Sequence, residues 1–268
     1  LSRAEGWYWA SNGGHTFGVA KSVDDQLQCF LRESLPDHRF TSGQFLSGFK
    51  SRIMQANDDM FAIAGLIKAS PALYELVVTT PAARLMPALQ GRNDTGELFE
   101  ALNQYLETYG HQGYSLDFCE PTQREDPSAV FVTLKNMVQR PDYNPSQHEA
   151  DATRKRDAAL VQVEELLPAF EYWQFRYRMW FAYKYYPMRE ESCFVLGTAW
   201  PVLRSIATEL GARLVDSGSL ANSDDVYFLT SDEIRTAIAA REQGKAEASF
   251  ITLTAERREL REARKRLH

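Results

Sequence analysis

The sequence is poor in cysteine and has no long apolar run. Its three cysteines, Cys29, Cys119 and Cys193, are odd in number and widely spaced. This pattern is typical of reduced thiols and excludes a disulfide framework or a zinc site. The most apolar run, residues 60–67, is far too short to cross a bilayer, and no signal peptide is recognisable. We therefore expect a cytoplasmic protein that does not associate with a membrane.

Motifs of self-contained catalysis are also missing. The sequence has no GxxxxGK[ST] phosphate loop, no HExxH and no GxSxG. Its five histidines are scattered, so we expect no metal site. The net charge of −6 argues against a nucleic-acid partner, because nucleic-acid binding normally needs a basic surface. These absences indicate a domain with little catalytic machinery of its own.

What the sequence does contain is helical periodicity. Spacings of three and four between apolar residues recur along most of the chain and predict one helix after another. We predict an all-α fold, a multi-helix domain with a long Gly-His-Gly loop and at most one short extended piece near residues 226–229. The predicted helices include Val23–Leu31, Gly43–Ala69, Ala72–Val78, Ala82–Leu89, Glu97–Tyr109, Ser128–Val138, Glu149–Tyr185 with a kink or break at Pro168, an apolar stripe from Leu196 through Trp200, Leu203, Ile206 and Leu210 to Leu214, Ser231–Glu242 and Lys245–His268.

The domain organisation is predicted from one proline-broken linker, RPDYNPS, at residues 140–146. We expect residues 1–268 to form a single helical domain, as one body or as two lobes, 1–140 and 147–268. The sequence begins without methionine and ends inside a charged helical run, which we interpret as a piece of a longer protein. We then interpret the final helix as a solvated linker that leads to a partner domain.

An aromatic arm opens the chain. Residues 1–20 carry two of the five tryptophans and the sequence Gly13-Gly14-His15 without a clean helical period. The arm either packs on the helices or forms the lip of a ligand pocket, since tryptophan buries much area and keeps a polar group available. In the second interpretation Trp9 and His15 contribute to substrate binding.

A second aromatic segment, FEYWQFRYRMWFAYKYY, occupies residues 170–186. Its side chains either line a core or form a wall for a planar aromatic or anionic ligand, because Arg176 and Arg178 lie among the rings. On the ligand interpretation the candidate substrate-binding residues are Trp173, Arg176, Tyr177 and Trp180.

Between two predicted helices lies a long loop, residues 109–126, with glycines on both sides of His111. Glycine permits backbone conformations that other residues avoid, and a loop of this length in a helical domain is more often functional or well pinned than idle. The acidic and basic side chains that follow offer an alternative, a salt-bridged corner between helical lobes.

Two blocks of the sequence resemble phosphotransferases related to phosphoenolpyruvate synthase. The first is YGHQG followed by REDP, residues 109–127. The second runs from Arg189-Glu190 through ELGARL to DDVYFLTSDE, ending at Glu233. The likeness is strongest to the region between the ATP-binding and phosphohistidine domains of rifampicin phosphotransferase and phenylphosphate-synthase-like proteins. It covers nearly the whole chain.

The resemblance implies that this chain binds the acceptor of a phosphoryl group. An ATP-grasp domain, which uses ATP and Mg²⁺, would charge a histidine on a mobile domain. Neither of those parts is recognised in this chain, so both are implied as partner domains or subunits.

By the same resemblance, Arg189 holds the transferring phosphoryl group and Glu190 accepts or orients the acceptor proton. An Arg-Glu pair at a helix start can equally be an ordinary salt-bridge and dipole contact. His111 is either an acid/base group or a loop histidine with satisfied hydrogen bonds.

The acceptor is not fixed by any motif, since the aromatic segment matches none in the family. Its aromatic character favours a small phenolic hydroxyl over pyruvate. The alternatives are a rifamycin- or pyruvate-directed phosphotransferase domain, and a non-catalytic helical binding or scaffold domain.

Overall fold

The computed structural model describes residues 16–49, 51–90, 92–113, 117–140, 143–243 and 249–267. Within these ranges the regular structure is helical, and the one β-type pairing is an isolated antiparallel bridge between Gly113 and Thr122. The predicted all-α fold is therefore confirmed. The α-helices are α1 Gly18–Ser34, α2 Ser42–Phe45, α3 Arg52–Ala69, α4 Pro71–Thr79, α5 Ala82–Leu89, α6 Gly96–Tyr109, α7 Ser128–Gln139, α8 Pro145–Leu166, α9 Ala169–Tyr185, α10 Met188–Leu196, α11 Trp200–Asp216, α12 Ser231–Glu242 and α13 Ile251–Lys265.

By packing, the chain divides into two compact units. The first unit comprises residues 1–110 and 126–198, and the second comprises residues 111–125 and 199–268. These bounds differ from those of the predicted lobes, because α8, α9 and α10 belong to the first unit and the loop after α6 belongs to the second.

Among its described residues, the first unit has two large apolar cores and a smaller cluster of Ala56, Tyr109 and Phe194. One joins the five consecutive helices from α3 through α7, and Ile67, Leu102 and Leu134 are fully buried in it. The other joins α1, α2, α8 and α9 around Phe45 and Phe175, whose rings meet edge to face with centroids 5.3 Å apart. Such pairs add to the stabilisation that burial gives.

The long helix predicted over Gly43–Ala69 is wrong, because the chain breaks between α2 and α3. Gly48 has a φ of +77°, a backbone conformation that glycine adopts at little cost. Three residues later Ser51 caps α3, accepting a hydrogen bond at its Oγ from the Met54 N–H at 3.2 Å. Apolar spacing alone did not reveal this start.

The break predicted at Pro168 is confirmed. Helix α8 ends at Leu166 and α9 begins at Ala169, since proline cannot donate within a helix and restricts the residue before it. The break leaves α9, which carries the aromatic segment, packed on α1.

In the second unit, the extended piece expected at residues 226–229 is wrong. A 3₁₀ helix spans Ser223–Phe228, and the Asn222 N–H donates to the Asp225 carboxylate at 2.9 Å in a capping box. Helix α11 ends at Asp216, two residues before Gly218, whose φ is +77°. The backbone of α11 packs against the 3₁₀ helix. A Cβ built on Gly211 would lie 2.0 Å from the Ser223 carbonyl oxygen, so only glycine fits there.

Two other expectations for this part of the chain are wrong. The stripe from Leu196 to Leu214 does not form one buried face: Leu196 belongs to α10, while Leu203 and Ile206 of α11 are 43% and 61% exposed. The final helix is not simply solvated either. It begins at Ile251, and Arg257 donates to the Glu233 carboxylate at 2.6 Å.

In the described ranges, no single helix has both the length and the apolar character needed to span a membrane. Helices α3 and α4 meet that criterion only as a pair, and the pair is bent by 114°.

Candidate functional site

Arg189 lies at a cavity of the first unit. The cavity has a volume of about 330 Å³. Its described lining residues come from the start of α1 and from the junction of α9 and α10: Phe17, Ala20, Lys21, Asp24, Tyr186 and Arg189. The Arg189 N–H donates to the Tyr186 carbonyl oxygen at 3.2 Å, which fixes the backbone while the side chain stays exposed. The site therefore presents two cations, one carboxylate and two aromatic rings.

Glu190 is not among the described residues that line this cavity. It is half-buried in the first turn of α10. The next residue, Glu191, lines a different cavity of about 450 Å³ together with Arg52, and their nearest charged atoms, Arg52 Nε and Glu191 Oε1, are 3.7 Å apart. The three consecutive charged residues thus face different surroundings.

Beside that second cavity, two aromatic residues bind the helices together. Tyr109 is buried and donates through Oη to Asp59 Oδ2 at 2.6 Å. Burial, followed by the hydrogen bond to Asp59, raises the pKa of Tyr109 well above its usual value. Its ring meets Phe194 edge to face with a centroid distance of 6.2 Å. Tyr109, the first residue of the YGHQG block, therefore links α6 to α3 as a neutral hydrogen-bond donor.

Helix α9 has aromatic side chains on two faces. The inner face buries Phe175, and the outer face carries four rings that are 56–66% exposed: Phe170, Trp173, Tyr177 and Trp180. Successive rings along this outer face lie nearly parallel, with centroids 6.1–6.4 Å apart. We call these four residues the aromatic face. The core interpretation of the segment is correct for Phe175 and wrong for the aromatic face; substrate binding there stays a prediction.

The two arginines of this helix differ in position. Arg176 is exposed and its guanidinium carbon lies 6.0 Å from the Tyr172 ring centroid. Arg178 lies over the Phe30 ring at 4.5 Å and lines a cavity of about 180 Å³ with Tyr177. Sequence reasoning chose Arg176 for the site. The cavity contains Arg178, because its position on α9 turns it toward α1.

The two cavities that contain Tyr177 and Arg189 lie along the same helix pair. Val23 and Gln26 of α1 line the smaller one, and Ala20 and Lys21, one turn earlier, line the larger one. The α1–α9 seam therefore carries apolar and aromatic surface at one position and cations at the next.

The loop after α6 belongs to the second unit, and its acidic residues are paired. Glu125 lies 2.7 Å from Arg204 Nε, and the Arg204 side chain is only 7% exposed. Asp117 accepts from Arg261 at 2.6 Å. Burial opposes ionisation of Glu125, yet hydrogen bonds from Arg204 and from Thr122 outweigh it and lower the pKa of Glu125. These contacts favour the ion-paired interpretation of this loop.

His111 also belongs to the second unit and is half-buried. The structure assigns it no catalytic role, so its acid/base function stays a prediction. Two other predicted substrate-binding residues, Trp9 and His15, lie outside the described residues. Across the described ranges, no group of three or more histidine, cysteine or acidic side chains is placed to hold a metal ion.

Comparison with known proteins adds a family. Residues 22–190, more than half of the chain, match the model of the rifampicin phosphotransferase fourth domain. The chain is also 22% identical over 204 residues to chondramide synthase cmdD of Chondromyces crocatus, an alignment that covers 74% of this chain. The chain spans only about 5% of the length of that curated relative. Arg189 and Glu190 are the last two residues of the family match.

Proposed function

The chain belongs to the rifampicin phosphotransferase fourth domain family, and we propose that it binds the acceptor hydroxyl of a phosphotransferase. The family makes it a phosphotransferase-type helical domain. The observation that carries the finer proposal is the position of Arg189, at a 330 Å³ cavity beside an aromatic seam. A cavity of this size and mixed lining suits a small ligand.

Arg189 is the proposed phosphoryl ligand. A guanidinium matches phosphoryl oxygens in charge and in bidentate geometry. Arg189 is exposed, so its side chain is available to a group that another domain delivers. Glu190 is the proposed acceptor of the hydroxyl proton, and His111 remains a second candidate for acid/base work.

ATP and Mg²⁺ are proposed to bind to other domains. The described residues offer no metal cluster, and the sequence has no phosphate loop. The partners are then an ATP-grasp domain and a phosphohistidine domain, which supply the phosphoryl group. This chain holds and orients the acceptor and neutralises charge at the transferring group.

The proposed acceptor is a small phenol. Tyr177, Phe181 and Val23 form the apolar side of the cavity next to Arg189 along the α1–α9 seam. Trp173, Trp180 and Arg176, on and beside the aromatic face, are proposed to contact larger aromatic acceptors. We expect such a protein to work in the cytoplasm, where ATP is available.

An assay of the enzyme assembled with its ATP-grasp and phosphohistidine partners tests this function. Phenol, a rifamycin and pyruvate are offered together with ATP, and phosphorylated products are identified by mass spectrometry. We expect phenyl phosphate as the main product. Phosphorylation of the rifamycin or of pyruvate instead would replace the phenolic acceptor, and a phosphohistidine that transfers to none of them would overturn the acceptor role.

A second candidate function follows from the relative in Chondromyces crocatus. Because the chain spans about 5% of a synthase, it can serve as a non-catalytic helical module in a large protein. In that case Arg189→Ala changes stability and leaves turnover of the assembled protein intact.

A further inference from the structure

The cavity that contains Arg189 holds a second cation. Lys21 lines it from the first turns of α1, opposite Tyr186 and Arg189. We propose that Lys21 is a second phosphoryl-binding residue, which leaves Asp25 and joins Arg189 on the oxygens of a phosphate monoester. This inference rests on the proposed function, since it names a further residue of the same site.

The present partner of Lys21 is easily exchanged. Its Nζ lies 2.9 Å from Asp25 Oδ2, and the two side chains are 75% and 60% exposed. Exposed pairs of this kind contribute little to stability, because water screens them and two long side chains lose freedom. A phosphoryl dianion carries more charge than one carboxylate, so Lys21 gains by changing partner.

The surroundings of the cavity also favour an anion. Asp24 is the one carboxylate among the described lining residues. Lys21 and Arg189 therefore outnumber the carboxylate in this described lining, while Asp25 lies outside it and competes for Lys21.

The side-chain chemistry divides the work between the two cations. Arg189 offers a planar fork that fixes the orientation of two oxygens, whereas the Lys21 ammonium is a mobile point charge on a flexible stem. Lys21 can therefore follow the phosphoryl group as it moves toward the acceptor. Arg189 stays in place at the helix junction.

Inorganic phosphate, titrated into the 268-residue chain at low ionic strength and followed by calorimetry, tests the inference. We expect saturable binding to the natural chain, and binding about fivefold weaker in Lys21→Gln and in Arg189→Gln, since each removes one charge interaction of roughly 1 kcal/mol. The control is Lys155→Gln, another exposed lysine of the first unit, which should bind like the natural chain. Circular dichroism checks that each variant is folded.

A second variant makes the test sharper. Asp25→Asn removes the competing carboxylate, so we expect phosphate to bind about twofold more tightly when Lys21 is present. The gain should vanish when Asp25→Asn is combined with Lys21→Gln. A simple change in net charge would strengthen binding in both backgrounds.

Absence of saturable phosphate binding to the natural chain would overturn the inference, as would Lys21→Gln behaving like Lys155→Gln. The test needs neither ATP nor the partner domains. A chain that binds phosphate through Lys21 but transfers none in the assembled enzyme would contradict the proposed function alone. Transfer that proceeds equally well in Lys21→Gln would contradict this inference alone.

Discussion

The two units of this protein use the same kinds of residue for different purposes. In the first unit, apolar cores hold the helices, while Arg189, Lys21 and the aromatic face remain exposed. In the second unit, charged residues of the family-like blocks are engaged in contacts with each other, as in the pair Arg204–Glu125. A charged residue that is already paired and buried supports the fold, whereas one exposed at a cavity is available to a ligand.

The contrast between residues that support the fold and residues that stay exposed is tested most strongly on the two faces of α9, in the first unit. Phe175 is fully buried and Trp173 is 63% exposed. Phe175→Ala should lower the free energy of unfolding by about 3–5 kcal/mol, because it removes a core ring and leaves a cavity. Trp173→Ala should change it by about 0.5 kcal/mol or less. Urea denaturation measures both, and a large loss in Trp173→Ala would show that the aromatic face is covered.

The next largest effect concerns two helical glycines, one in each unit. Gly211→Ala places a methyl group against the Ser223 carbonyl oxygen and should cost about 3 kcal/mol of stability. Gly65 has nothing within 4 Å of a Cβ position, so Gly65→Ala should stabilise α3 by about 0.5–1 kcal/mol. Equal effects in urea denaturation would contradict the close approach of α11 to the 3₁₀ helix.

A third test separates buried from exposed ion pairs on a single helix. Arg204→Gln should lower the free energy of unfolding by about 2 kcal/mol, because it leaves the partly buried Glu125 without its charged partner. Arg213→Gln breaks an exposed pair with Glu209 and should cost about 0.5 kcal/mol or less. If both variants lose the same stability, the pairing of the loop is not what holds the second unit.

The smallest effect is a pH dependence. The hydrogen bond from Arg257, followed by that from the Thr230 N–H, lowers the pKa of Glu233 from 4.5 to about 2. Its contribution to stability is present above pH 4.5 and is lost as pH falls toward 2, because the folded state favours the ionised carboxyl. In thermal denaturation between pH 4.5 and 2, the stability of Glu233→Gln should lack this part of the pH dependence. Glu256→Gln, at an exposed position of α13, should retain it.

Much of the fold could be predicted from local patterns. Apolar spacing predicts the helices, and proline chemistry predicts the break between α8 and α9. The 3₁₀ helix could not be predicted in this way, since Val226-Tyr227-Phe228 favours an extended strand by propensity. The capping box of Asn222 and Asp225 decides that local structure.

The site was only partly predictable. The resemblance led to Arg189, but position on a helix face decides which neighbouring cations share a cavity. Arg178 and Lys21 lie at cavities with Tyr177 and Arg189 respectively, while Arg176 is exposed beside Tyr172. The signal that could have identified Arg178 and Lys21 is the three- and four-residue spacing of α1, combined with knowledge that α1 packs on α9. Sequence alone does not provide that pairing.

The most direct measurement is the single-turnover rate of phosphoryl transfer from the partner phosphohistidine to a phenol, in the natural chain and in Arg189→Ala. The account predicts a loss of roughly 100-fold or more, by analogy with arginines that stabilise phosphoryl transfer, with an unchanged melting temperature because Arg189 is exposed. An unchanged rate would contradict the role of this cavity as the acceptor site.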